Sequence, residues 1–153
     1  MRVHPEMLEH QHLPGRLVGK HLWQERFHDI RGFERHLARS GVIVLKFFLH
    51  ISKEEQRRRF LERIDEPDKR SKFSISDVAE RTRWSEYAAA YEDMIRATSR
   101  AQAPWHIVPA DHKWFARLAV ATTVVDALER LDLKFPKVEG AALKELAKVR
   151  KAL

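Results

Sequence analysis

Two stretches of this chain leave few folds open to it. Val42 to Ile51 reads VIVLKFFLHI, a nearly unbroken apolar run rich in β-branched and aromatic residues. That is the pattern of a strand covered on both faces, not of one alternating between core and water. Directly after it, Ser52-Lys-Glu-Glu55 places a Ser three residues before a Glu, a capping box that predicts a helix running to about Ile64. The order recurs downstream: Pro104 to Ala110, PWHIVPA, predicts a second short strand, and Asp111 is placed to cap a helix from His112 to about Leu131. Two strands, each leading into a helix, are half-units of an α/β protein with a parallel sheet. A parallel pair apolar on both faces is buried only when other strands flank it, so the pattern implies strands beyond these two.

The remaining segments read as helix. Trp23, Phe27, Ile30, Phe33 and Leu37 recur at helical spacing and Ser40-Gly41 supplies a stop, predicting an amphipathic helix over about 21–39. Asp65 to Ser71, DEPDKRS, interrupts the pattern, after which Ser74-Ile-Ser-Asp77 offers a cap for one long helix to about Ala97. Residues 1–20 contain Pro5, Pro14, Gly15 and Gly19 without a steady period and predict an irregular lead-in with one helical turn. Pro136 closes the last strand–helix unit, so the expected division is a domain over 1–136 and a Lys- and Ala-rich helical tail over 137–153.

Charge narrows the partners. Twenty-nine Lys and Arg against twenty-two Asp and Glu leave +7, a balance that favours polyanions. With no cysteine, disulfide frameworks, thiolate ligands and thiol nucleophiles are excluded. The start has no basic segment leading into an apolar stretch, and no apolar run approaches the roughly 18 residues a membrane span needs. A cytoplasmic protein with no membrane partner is therefore expected.

Several cations are spaced to meet phosphate. Gln56, Arg59 and Arg63 share one helix face, where guanidinium groups can grip phosphate oxygens bidentately and neutralise a transferring phosphoryl group. Lys69, Arg70 and Lys72 follow in a loop between helices, where a mobile cationic flap would be built. Asp111, Lys113 and Arg117 follow the second strand, on the edge where open α/β sheets bind ligands. Each group has a plain reading beside the functional one, as a solvated helix face, a charged turn, or a cap with a surface pair. Lys46, amid apolar neighbours, needs a partner or a route to the sheet end. Gly15-Arg-Leu-Val-Gly19-Lys20 imitates a phosphate loop but has one residue too few between its glycines and no Ser or Thr after the Lys. His4, His10 and His12 lack a convergent carboxylate or thiol set for a metal.

Read together, these strings resemble the polyphosphate kinase 2 family, chiefly its C-terminal half. They are W-x-x-R-F-x-x-I-x-x-F-E from Trp23 to Glu34, LKFFLHISKEEQRRRFLER, DEPDKRSKFS, WSEYAAAYEDMI from Trp84, and APWHIVPADHKWFAR. The resemblance implies a partial P-loop kinase-like α/β/α fold with a helical lid over about 65–98. It also implies Mg²⁺ and phosphoryl transfer between inorganic polyphosphate and a nucleotide, ADP, AMP or GDP. It further implies a homo-oligomer, or association with a separate N-terminal half, and makes nucleic acid an unexpected partner. By the same resemblance Arg59, Arg63, Lys69 and Lys72 face phosphate, while Ser71 stands where the lid motif carries Trp. The Gly-rich loop and the Asp-Arg motif of the family lie upstream of anything in this sequence, and Met1 falls within a resembling segment. A truncated or split reading frame, inactive alone and without its own Mg²⁺ ligands, is the implied state. Composition leaves open a non-catalytic polyanion-binding or regulatory module.

Overall fold

A computed structural model describes residues 3–15 and 18–152. After a 3₁₀ turn at Pro5–Gln11 come α1 (Leu22–Arg39), β1 (Lys46–His50), α2 (Lys53–Asp65), a second 3₁₀ turn (Pro67–Lys72), α3 (Ile75–Arg81) and α4 (Trp84–Thr98). β2 (Trp105–Pro109), α5 (Lys113–Glu129) and α6 (Ala141–Ala152) complete the order. The chain divides into two compact units, Met1–Val120 and Ala121–Leu153. In the second, the end of α5 is closed by Leu131 N–H donating to Leu128 O, and Gly140, at φ +63°, leads into α6.

In the first unit β1 and β2 pair in parallel, from Lys46 opposite Trp105 to His50 opposite Pro109. The α/β expectation holds. The strand at 46–50 is shorter than its apolar run, and Leu49 and Ile107 are more than half exposed. Among the described residues the sheet has these two strands, so a strand sequence suited to cover on both faces has cover on part of it. The core is correspondingly thin: Val108, Ala110 and Ala116 are buried, with Phe47, Ile51, Ala119 and Val120 against them.

Lys46 resolves the conflict its sequence position posed. Its Nζ donates to Glu34 Oε1 at 2.7 Å and Thr98 O at 2.8 Å and stands 5.1 Å from the Trp105 ring centre. Glu34 and Thr98 are both buried, so strand, α1 and the end of α4 are tied at one charged point. The Glu34 Oε2 atom beside it is buried with no hydrogen-bond partner among the described residues.

Two expectations about helices are corrected. The single helix over 74–97 is α3 and α4, broken at Thr82-Arg83. Thr82 Oγ1 donates back to Ala79 O at 2.7 Å, and the Thr82 and Arg83 N–H groups bond three residues back, a tightened turn that redirects the chain. The Ser52 capping box is half formed. Ser52 Oγ accepts the Glu55 N–H at 3.0 Å, whereas Ser52 N–H donates to Asp111 Oδ1 at 2.7 Å. The Glu55 carboxylate turns to arginines instead, because two guanidinium groups one turn along outcompete a single amide.

Candidate functional site at the C-terminal ends of the strands

The two strands deliver their following turns side by side, and the sequence locks them together. Ala110 N–H donates to His50 O and Ser52 N–H to Asp111 Oδ1, both at 2.7 Å. The Ser52 backbone amide, with its side chain adding to the effect, holds the Asp111 carboxyl below its usual range. Arg59 reaches across from α2, its Nη2 donating to Ala110 O at 2.7 Å and Asp111 O at 3.3 Å. A dent of about 430 Å³ lies over this junction, lined by His50, Ser52, Pro109, Asp111, His112 and Phe115. It sits outside the carboxyl ends of parallel strands, where such sheets present ligand sites.

The cations of this end are tethered by carboxylates. Glu55 takes Arg58 through both oxygens and Arg59 Nε through Oε1, all at 2.7 Å. Those two guanidinium groups, Arg58 first, hold the Glu55 carboxyl down at about 2. Lys69 bridges Glu66 at 2.6 Å and Glu62 at 2.9 Å, which raises its pKa, and Glu62 is lowered chiefly by Lys69 with Lys113 contributing at longer range. Arg70 Nε donates to Ile64 O at 2.9 Å, closing the 3₁₀ turn onto the end of α2. Arg63 lies over the Phe60 ring at 5.7 Å, and no carboxylate among the described residues pairs with it. Lys113 and Arg117 are exposed on the first turns of α5. The Lys72 side chain lies outside the described residues. The fold therefore gathers Arg59, Lys69 and Lys113 about Glu55, Glu62 and Asp111, while among the described residues no carboxylate of that cluster pairs with Arg63 or Arg117.

A second cavity, of about 370 Å³, opens beside β1 and runs under α3 and α4. Phe48, Phe60, Trp84, Tyr87 and Tyr91 wall it, with Phe48 and Tyr91 rings 5.0 Å apart, and Gln56, Asp77, Glu80 and Arg81 form its polar part. Arg81 Nη1 joins α3 to the start of α2, donating to Gln56 Oε1 at 2.8 Å and Lys53 O at 2.6 Å. Aromatic walls with a few hydrogen-bonding groups suit a planar ring with polar edges. Sequence reading marked Gln56 and the WSEYAAAYEDMI string that holds Tyr87 and Tyr91, but passed over Arg81, which lay inside the single helix expected there. It read Glu55 as a capping residue and passed over Glu62, although both stand three or four residues from Arg58 in the sequence.

A model of the polyphosphate kinase 2 family matches residues 16–136. The chain belongs to that family. It is 45% identical to an ADP-polyphosphate phosphotransferase of Rhodopseudomonas palustris over the whole of this chain and 53% of that protein. It is 47% identical to an AMP/ADP-polyphosphate phosphotransferase of Meiothermus ruber over 84% of this chain and 48% of that one. The polyphosphate kinase 2 crystal structure from Arthrobacter aurescens superposes with a TM-score of 0.76 at 41% identity, over 84% of this chain and 46% of the other. The chain thus spans about half the length of each of these relatives.

As a polyphosphate kinase 2 protein its fold class is P-loop kinase-like, represented here by two parallel strands and their helices. Among the described residues no helix is long and apolar enough to cross a membrane. Phosphotransferases of this kind work with a divalent metal. Among the described residues no group of three or more His, Asp or Glu side chains is placed to hold a metal ion, and the carboxylates of the strand-end cluster are occupied by cations and amides. These residues do not fit a metal site.

Proposed function

We propose that this chain supplies the lid-bearing, cationic half of a polyphosphate:nucleotide phosphotransferase and does not complete the reaction alone. The reaction would move a terminal phosphoryl group between inorganic polyphosphate and a nucleoside mono- or diphosphate, AMP or ADP by the names of its relatives. The observation that carries the reading is the cluster at the strand ends: guanidinium and ammonium groups from α2, the 3₁₀ turn and α5 collected around one edge of a parallel sheet. Phosphoryl transfer needs little covalent chemistry from protein, and depends on positioning and on charge neutralisation. In this reading Arg59 is a positioning residue that fixes the βα junction, and Arg63, Lys69, Arg70, Lys72, Lys113 and Arg117 are the groups available to phosphate oxygens. Carboxylate tethers suit that task, because a pre-aimed ammonium exchanges one anion for another without reorganising.

Incompleteness rests on two features of this sequence and its fold. It contains no Gly-rich loop whose amides would cradle β- and γ-phosphates. Among the described residues the sheet has two strands, and Leu49 and Ile107 on them are more than half exposed, an apolar surface that further elements would cover. Mg²⁺ is the metal this reading expects, held by groups that this chain does not supply. The test is a fusion of the N-terminal half of the Rhodopseudomonas palustris relative to this chain, assayed for nucleotide formation from polyphosphate. Turnover by the fusion that falls at least about 100-fold with Arg63→Ala supports the reading. A soluble, folded fusion that binds polyphosphate yet transfers nothing would favour a non-catalytic polyanion-binding module instead.

A further inference from the structure

At the opposite end of the sheet a second cationic feature is built quite differently. His28, Arg31 and Arg35 lie along α1, and Arg100 and Gln102 come from the loop that precedes β2; together they line a cleft of about 220 Å³. The loop is held by a reciprocal pair of backbone bonds between Arg100 and Ala103. Arg31 Nη1 donates to Ala97 O at 3.0 Å, and Arg100 Nη1 donates to Ser99 O. Each guanidinium is thereby steadied by a carbonyl and keeps its remaining N–H donors for something else. No carboxylate lines the cleft.

We propose that this cleft binds phosphate groups of inorganic polyphosphate at a distance from the transfer site, as an anchor for long chains. The proposal rests on the polyphosphate reading above. Arginines are suited to phosphate because their planar forks match its oxygens bidentately. The volume lies below the roughly 300–1,000 Å³ typical of pockets for drug-sized ligands, so it suits a run of phosphates better than a nucleotide. No aromatic side chain lines it, which leaves nucleobases nothing to stack on and distinguishes it from a single-stranded nucleic-acid site. The cleft precedes the N-terminal end of β2 and the cation cluster follows its C-terminal end. Five residues of strand at roughly 3.3 Å each put the two sites at least about 15 Å apart. A short polyphosphate occupies one site at a time. A long chain occupies both, and the second contact is then favoured by effective concentration.

The experiment is equilibrium binding of tripolyphosphate, long-chain polyphosphate and oligothymidylate to the 153-residue chain, with no nucleotide present. The cleft variant is Arg35→Gln with Arg100→Gln, and the charge-matched control is Lys148→Gln with Lys151→Gln in α6. The expected result is that the cleft variant loses about tenfold of the advantage of long-chain over tripolyphosphate. Its slope of log affinity against log salt falls by about 1 to 2, and the control is unchanged. If the double variant does not fold, Arg35→Gln alone is expected to lose about threefold. Equal losses in cleft variant and control, or no loss in either, would overturn the anchor. An equal loss for oligothymidylate would make it an unselective anion patch and overturn the polyphosphate assignment. Because no turnover is measured, a fusion enzyme that makes no nucleotide would sink the transfer reading and leave this result standing.

Discussion

The two ends of the sheet carry the same kinds of cation under opposite electrostatic rules. At the C-terminal end, Arg58, Arg59 and Lys69 are each tied to a carboxylate, and the carboxyls of Glu55, Glu62 and Asp111 are all held below their usual range. At the N-terminal end, Lys46 and Glu34 are sealed inside as a pair, while outside them Arg31, Arg35 and Arg100 line a cleft free of carboxylates. Tethered cations hold one geometry and add little net field. Cations with no carboxylate partner keep their full charge and add field and local attraction. The first arrangement suits a step in which atoms must be placed; the second suits retention of a long polyanion.

The largest effect that sharpens this contrast is expected inside the N-terminal end. Lys46→Met leaves Glu34 buried without a countercharge and should destabilise the chain by about 3–5 kcal/mol in denaturant unfolding. Adding Glu34→Met should recover most of that loss, since an apolar pair of similar volume needs no compensation. Next, Arg59→Ala should cost about 2 kcal/mol, because it frees the Ala110 carbonyl and unties α2 from the second βα turn. Arg35→Ala should change stability by no more than about 0.5 kcal/mol. Equal costs for these two helix arginines would break the distinction between tethered and untethered ends.

A smaller effect is expected from Glu62→Gln, which releases Lys69 from one of its two carboxylates. Tripolyphosphate affinity should rise roughly 2- to 3-fold and become more salt-sensitive, as for the loss of one exposed ion pair. The mildest signals are in pH. Glu55 titrates near 2 when folded against 4.5 as a free side chain, so its contribution is present above about pH 4.5 and lost as pH falls toward 2. Glu55→Gln should flatten that acid limb of thermal stability. His4 runs the other way. Its ring bonds Glu80 at 2.7 Å and Glu6 at 2.8 Å, which raises its pKa, with Arg83 opposing and Tyr87 sharing Glu80. The stability it adds is full below about pH 6.5 and lost as pH rises through the raised value, a decline that His4→Gln should abolish.

Much of this was legible in the sequence where one local rule governed. The apolar run into Ser52 announced a strand and a capped helix, and both formed because the Ser52 hydroxyl had the Glu55 amide within reach whatever else happened. Lys46 announced that it needed a partner, without saying that the partner would be Glu34, twelve residues earlier on another element. The helix over 74–97 read as one because no Gly or Pro stands between the cap at Ser74 and Ala97; the break depends on a hydroxyl turning back onto Ala79 O, which such punctuation does not register. The half-formed capping box went unread because the competitor for Ser52 N–H is Asp111, 59 residues away. The anchor cleft was invisible for the same reason: α1 and the 99–104 loop meet only after α1 packs on α4. Family strings named the chemistry, and side-chain pairing across the fold decided which cations are bound already.

The measurement that bears most directly on the account is a paired assay of the purified 153-residue chain, reading polyphosphate binding and nucleotide formation in the same Mg²⁺-containing buffer. The account predicts salt-sensitive binding of polyphosphate and no nucleotide formed above background. Nucleotide produced by this chain unaided, or a folded chain that does not retain polyphosphate at low salt, would contradict it.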